Sequence, residues 1–299
     1  MNDAPRTPDG PLRAPQSVPG APPIGRRTPT LVGSSVRVFD LSLAQMLWSR
    51  RSVFLGVLLG GPVVLAIALR VVATLYASGF RVNGAQPAGS WIFGMMIWLL
   101  YLRIIVPLLG VFYGTSLIAD EVEDRTLTYL FTRPLRRGSV LIGKYLAYLV
   151  CTMLLVLPSI VIVFFLIVPV GGGSVGASFP GLLADLGMAA VGLAAYGAVF
   201  AWVGARLRRP LVVGLVFAFG WEQVILLFPG YLKRLTVAYY LQALVPHAMP
   251  PDSSVGVLMQ LFREVPTIAG SLASLAAITV LALWLAARTV ERREYVLDQ

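Results

Sequence analysis

Six apolar segments constrain the fold of this chain more than any other feature of its sequence. Each is close to the roughly 20 residues that an α-helix needs to cross about 30 Å of hydrocarbon. Composition agrees, since 57% of the 299 residues are hydrophobic and 13% are charged, whereas about 25% are charged in soluble domains. The sequence therefore predicts an all-α, polytopic membrane protein with six transmembrane helices, at about residues 53–76, 91–117, 143–169, 182–204, 211–228 and 266–287.

The distribution of basic residues predicts the topology, because Lys and Arg concentrate in loops on the cytoplasmic side of a membrane. Of the 24 Lys and Arg residues, 18 lie in the termini and near the loops after spans two and four, four lie in the opposite loops, and two lie within spans. Both termini are therefore predicted to be cytoplasmic, in the inner cell membrane. This placement also accounts for the net charge of +10, so we expect the lipid bilayer as a partner and no nucleic acid.

The segments around the spans divide the chain further. Residues 1–35 are rich in proline and lack periodicity, which predicts a disordered cytoplasmic tail. Residues 36–51 carry apolar side chains at helical spacing and predict an interfacial amphipathic helix, although they could simply extend the first span. Residues 52–290 form the predicted transmembrane domain, and 291–299 the cytoplasmic C-terminus. Within that domain, the apolar content of the long external segment 229–265 predicts a partly embedded or re-entrant element.

One motif has the spacing of a nucleotide-binding loop but lacks the other features that such a loop needs. Gly138, Gly143 and Lys144 have the spacing of a P-loop, yet Tyr145 stands where a magnesium-binding Ser or Thr is needed, and the segment leads into a span. With one histidine, one cysteine and no catalytic spacing, we expect no enzyme activity, no metal and no cofactor in this chain. Lys144 is interpreted as an anchor at the cytoplasmic interface.

The cytoplasmic segment 118–142 is the most informative stretch outside the spans. An acidic cluster is followed by apolar residues at helical spacing, then by Pro134 and a basic pair. This pattern predicts a short amphipathic helix on the inner face of the membrane that docks a soluble partner. The alternative, an inert interfacial loop, would not require such a dense alternation of acidic, apolar and basic residues.

This segment resembles the corresponding part of ABC-2 type permeases, the membrane subunits of ABC transporters. It departs from their usual pattern at Arg125, where the family commonly has glycine. The six-span layout with cytoplasmic termini is similar as well. The residues that carry the resemblance are Glu121, Glu123, Thr126, Leu127, Leu130, Pro134, Arg137, Gly143 and Lys144.

The resemblance implies the transmembrane subunit of an ATP-driven exporter. ATP and Mg²⁺ would be bound by a separate ABC ATPase subunit, against which residues 118–142 would act as a coupling element. A second permease, either an identical copy in a homodimer or a homologue, would complete the transporter, and accessory proteins are further candidate partners. The resemblance does not identify the transported substrate.

Two charged residues inside the spans keep an alternative open. Arg103 and Glu222 are predicted at similar depths in spans two and five, where an unpaired charge is expensive. They could form an intramembrane ion pair or line a pathway separately. Charged groups lining a pathway are also expected in a secondary transporter or channel driven by an ion gradient.

The topology is testable by cysteine accessibility in a chain whose own Cys151 is replaced. We expect Gly84→Cys and Asp252→Cys to react with a membrane-impermeant maleimide added to intact cells. Gly20→Cys and Tyr295→Cys should react only after the membrane is permeabilised, because both termini are predicted inside. Labelling of the two terminal cysteines in intact cells would contradict the assignment.

Overall fold

A computed structural model describes residues 50–75, 88–117, 137–207, 209–225, 231–245 and 266–292 of the chain. This part is helical and contains no β-strand. Short 3₁₀ turns at Val170–Gly172 and Tyr231–Leu235 precede two of the helices. The helices are α1 (Arg50–Leu75), α2 (Gly89–Leu117), α3 (Arg137–Ile167), α4 (Val175–Arg206), α5 (Pro210–Ile225), α6 (Val237–Leu244) and α7 (Ile268–Arg292).

Five of the helices in the described ranges are long and apolar enough to cross a membrane, namely α1, α2, α3, α4 and α7. Helix α5, where the sequence predicts the fifth of six spans, is also apolar but has fewer than 18 residues in the described part of the chain. The all-helical membrane fold is therefore confirmed, with five candidate spans and a shorter apolar helix. The tail 1–35 and residues 36–49 of the predicted interfacial helix lie outside the described residues.

Prolines within three of the helices do not interrupt them. Pro62, Pro107 and Pro158 lie inside α1, α2 and α3 respectively. Around Pro107, α2 has two π-helical segments, Ile97–Ile105 and Gly110–Gly114, in which each N–H pairs with the carbonyl five residues earlier. The wider turns of α2 are important because the first π-segment carries Arg103.

Contacts near the helix ends show that successive helices from α2 to α5 alternate in direction. The Lys144 ammonium, near the start of α3, donates to the Leu117 carbonyl at the end of α2 (3.2 Å). At the other end of this pair, Gly89 of α2 lies against the carbonyl of Ile167. Gly204 of α4 contacts Thr115 of α2 near the end of both helices, and α5 begins near that same end, since its Gly214 contacts Val111.

Helix α4 occupies the centre of the bundle and contacts α2, α3, α5, α6 and α7. Glycines allow this close packing, as is common where helices associate in lipid. A Cβ atom on Gly197 would lie 2.1 Å from the Tyr148 ring of α3. That ring cannot easily move, because it is buried and its hydroxyl donates to the Leu193 carbonyl of α4 (2.9 Å).

The outer helices α1 and α7 are much less buried than the central helix α4. In the most apolar 18-residue window of both α1 and α7, 17% of residues are buried, against 56% in α2 and α4. Large apolar side chains such as Val64 and Val280 are exposed on these outer helices. In a membrane protein such surfaces face lipid or other membrane subunits, since neither requires polar side chains.

Gly197→Ala should destabilise the protein, because the new methyl group must displace the buried Tyr148 ring. Overpacking of this kind costs about 1–3 kcal/mol, so we expect a lower midpoint of thermal unfolding in detergent. Gly187→Ala in the same helix is the matched control, since a Cβ there meets nothing within 4 Å. Equal stability of the two variants would contradict the packing described.

Candidate functional site

A cluster of polar side chains lies between α2, α4, α5 and α6, within an otherwise apolar bundle. Arg103 extends from α2 and is partly buried. Its Nε donates to Oε1 of Gln223 on α5 (2.5 Å), and its guanidinium lies over the Trp98 ring at 5.3 Å from the centroid. Trp98 and Arg103 are five residues apart, a separation that the π-helical turn brings onto one face of α2.

The carboxylate of Glu222 is fully buried and accepts hydrogen bonds from two other elements. The Tyr196 hydroxyl of α4 donates to Oε2. The backbone N–H of Val237 donates to Oε1 (3.1 Å), and the N–H of Ala238 also donates to the carboxylate. Helices α4, α5 and α6 are therefore joined through one side chain.

Helix α6 presents its N-terminus to this carboxylate. Thr236 caps the helix by accepting from the Tyr239 N–H (3.3 Å), while its own hydroxyl donates to the Lys233 carbonyl (2.8 Å). The first N–H groups of a helix have no partner within it and carry partial positive charge. Glu222 supplies the acceptor oxygens that these N–H groups need, so the contact satisfies both partners.

The apolar face of α6 packs into the bundle. Val237 and Leu241 are buried, and the helix contacts α2, α4 and α7. The sequence predicts a partly embedded element within 229–265, and α6 is a described part of that segment that packs against candidate spans. The rest of the predicted external segment, apart from residues 231–245, lies outside the described residues.

A cleft opens beside Arg103. Its cavity volume is about 20 Å³, which is room for about one water molecule. Polar groups of Arg103, Gln223 and Gln242 line it together with apolar and aromatic side chains. The lining residues are Trp98, Leu102, Arg103, Pro107, Tyr196, Gln223, Ala238, Leu241 and Gln242.

The two charged residues singled out in the sequence belong to this one cluster but bind different partners. Arg103 donates to Gln223, the residue after Glu222, rather than to Glu222 itself. Glu222 is satisfied by Tyr196 and by α6. The structure thus places them in neighbouring hydrogen-bond systems, and the direct ion pair is not the arrangement it contains.

Most of the predicted ATPase-coupling residues are not among the described residues. Residues 118–136 lie outside the described residues, so the roles of Glu121, Glu123, Thr126, Leu127, Leu130 and Pro134 stay predictions. Arg137 is the first residue of α3, and 138–144 form its next turns. The P-loop-like spacing therefore lies on a helix, and Lys144 contacts the end of α2.

Sequence reasoning missed several residues of the cluster. Tyr196, Gln223 and Gln242 lie within or beside apolar helices, and their only signal is a hydrogen-bonding group in an apolar context. Asp185 of α4, which is fully buried, was missed as well, although an acidic residue inside an apolar run is a recognisable functional signal.

The Tyr196–Glu222 contact predicts non-additive variants. Tyr196→Phe removes one donor to the buried carboxyl group, and Glu222→Gln replaces one of its two acceptor oxygens with an NH₂ group. We expect each to lower stability by about 1–3 kcal/mol and the double variant to lose less than the sum in a double-mutant cycle by thermal unfolding. Tyr240→Phe is the control, because no hydrogen bond of its hydroxyl occurs among the described residues. Additive losses would contradict the contact.

Comparison with known proteins identifies the family. A model of the "ABC-2 family transporter protein" family matches residues 63–287, which is more than half of the chain. The match contains α2 to α6 complete and therefore every residue that lines the cleft. No curated protein matches the chain. The chain belongs to the ABC-2 family of transporter proteins.

Proposed function

We propose that this chain is the transmembrane permease subunit of an ATP-driven exporter in the cytoplasmic membrane. The observation that carries the proposal is the family match over 63–287, which covers three of the five candidate spans completely and the other two in part. A separate ABC ATPase subunit binds ATP and Mg²⁺ and hydrolyses the nucleotide. The permease itself supplies the path through the membrane.

Coupling to the ATPase occurs through the segment between α2 and α3. The helices on either side of it are joined at their ends by Lys144 and the Leu117 carbonyl. A force on the segment therefore reaches both helices together. Helix α2 is fixed on α4 by the close contact of Thr115 with Gly204, and it extends from there to Arg103 and the cleft.

The π-segments of α2 are where this movement can be absorbed. Their hydrogen bonds can change to α-helical pairing with a rotation of the residues beyond them. Arg103 and Trp98 lie in such a segment, and Glu222 follows another at Val216–Trp221. A change of pairing would move the polar cluster relative to α4, which supports alternating access.

The proposed topology has six spans and cytoplasmic termini. Helix α5 is the fifth span, and α6 closes the bundle beyond its end through the Glu222 contact. The exporter contains two copies of this chain, and the sparsely buried helices α1 and α7 leave surface for a second copy as well as for lipid.

Charge reversal in the coupling segment tests the proposal. The chain is expressed with candidate ABC ATPases, purified through a tag on the permease and reconstituted in lipid vesicles. We expect Glu121→Lys with Glu123→Lys to reduce the copurified ATPase, or its stimulation by the permease, by at least about tenfold. Membrane insertion and thermal stability should be unchanged.

The control reverses another acidic pair on the same predicted side, Glu291→Lys with Glu294→Lys. Unchanged copurification and stimulation of the ATPase in the variant with Glu121→Lys and Glu123→Lys would contradict the proposed docking segment. Transport that persists with a hydrolysis-deficient ATPase but stops when the proton gradient is dissipated would favour the alternative, a secondary transporter that uses the charged groups in its spans.

A further inference from the structure

The short 3₁₀ turn Tyr231–Leu235 carries two leucines that the protein leaves largely exposed. Leu232 is 54% exposed and Leu235 is 69% exposed. Side chains three residues apart eclipse each other in a 3₁₀ helix, so the two leucines lie along one edge of the turn. In water such an edge would forgo the free energy that apolar burial provides.

Between the leucines lie two adjacent basic residues. Lys233 is partly buried, and Arg234 is exposed. Residues 223–251 contain these two cations and no Asp or Glu. Glu222, which precedes this stretch, is enclosed by Tyr196 and α6. The turn therefore combines positive charge and an apolar edge, without an acidic residue in its own segment.

Contacts with α5 fix the level of the turn relative to the membrane. Helix α6 begins directly after the turn, and its Val237 N–H donates to Glu222, about one helical turn before the end of α5 at Ile225. Helix α5, the proposed fifth span, extends about 24 Å at about 1.5 Å per residue. This is most of the roughly 30 Å of hydrocarbon, so the turn lies near the membrane boundary at which α5 ends.

Two exposed tryptophans lie at the same end of the bundle. Trp221 precedes Glu222 on α5, and Trp91 lies in the first turn of α2. The start of α2 is at this end, because Gly89 packs against the carbonyls at the end of α3. Tryptophan is enriched where the hydrocarbon core meets the lipid headgroups, which supports the same level for the boundary.

We propose that the turn Tyr231–Leu235 enters this membrane interface and binds the phosphate of an anionic phospholipid. Leu232 and Leu235 lie among the acyl chains next to the headgroups. The Lys233 ammonium and the Arg234 guanidinium donate to phosphate oxygens. Both side chains have apolar stems that can follow the leucines while the charged ends stay at the headgroup level. Phosphatidylglycerol fits, because its headgroup has no amine to compensate the phosphate.

A lipid bound here would also hold α6. The Thr236 hydroxyl donates to the Lys233 carbonyl and accepts from the Tyr239 N–H, so the turn and α6 are tied together. The inference uses the proposed place of α5 as a span and requires nothing of the ATPase. Its failure would leave the proposed coupling untouched, and failure of coupling would leave the lipid contact untouched.

The test places the fluorophore NBD on Leu235→Cys in the full-length permease with Cys151 replaced, reconstituted without an ATPase in phosphatidylcholine vesicles. Quenching by nitroxide-labelled phosphatidylglycerol is compared with quenching by the same label on phosphatidylcholine at equal mole fraction. We expect a blue-shifted NBD emission, as in an apolar environment, and at least about threefold stronger quenching by the anionic lipid.

Variants of the basic pair test its role in this preference. Lys233→Gln with Arg234→Gln should abolish the preference for phosphatidylglycerol, and the charge-conserving Lys233→Arg with Arg234→Lys should retain most of it. NBD on Val280→Cys is the matched control, since Val280 is exposed on the apolar surface of α7. We expect both lipids to quench it equally.

Two results with the basic pair intact would overturn the proposal whatever the variants do. Equal quenching by the two lipids at residue 235 would exclude the anionic site, and an emission maximum typical of water would exclude membrane contact. Blue-shifted emission without quenching by lipid would also overturn it, since a protein such as a second copy would then cover the leucines. An unchanged preference in Lys233→Gln with Arg234→Gln would remove the assigned phosphate ligands.

Discussion

The absence of water from the hydrocarbon core is the constraint on which this structure depends. Each backbone and side-chain polar group in the bundle needs a partner within the protein. The carboxylate of Glu222 meets this requirement by joining α4, α5 and α6, through the Tyr196 hydroxyl and the first N–H groups of α6. A short helix that would be marginal alone is thereby fixed among the spans.

The same constraint explains how the outer and inner helices differ. Helix α4 is surrounded by other helices, and its glycines let them approach closely enough for Tyr145 and Tyr148 to reach its backbone carbonyls at 2.8 and 2.9 Å. Helices α1 and α7 are sparsely buried and expose large apolar side chains. Close packing thus concentrates around α2, α3 and α4, while the outer pair leaves large apolar side chains exposed.

Two adjacent polar residues of α5 have different surroundings and different partners. Glu222 is enclosed and fully bonded within the protein. Gln223 faces the cleft and orients Arg103, whose remaining donors stay available. A buried, satisfied carboxylate holds the scaffold together, and a partly buried guanidinium lies beside it at the wall of a small cleft.

The sequence by itself determined the helical membrane class, the positions of the apolar helices, and the family, which the ABC-2 match confirmed. Apolar length and the pattern of residues 118–142 are local properties, so they can be read along the chain. Only the tertiary structure decided that Arg103 pairs with Gln223, that Glu222 faces the N-terminus of α6, and that the Tyr196 hydroxyl donates to Glu222. Depth along each helix could place Arg103 and Glu222 near the same level. Which partner each one binds depends on helix rotation, on the π-turns of α2 and on the packing of α6, and these are fixed by contacts between residues far apart in the chain.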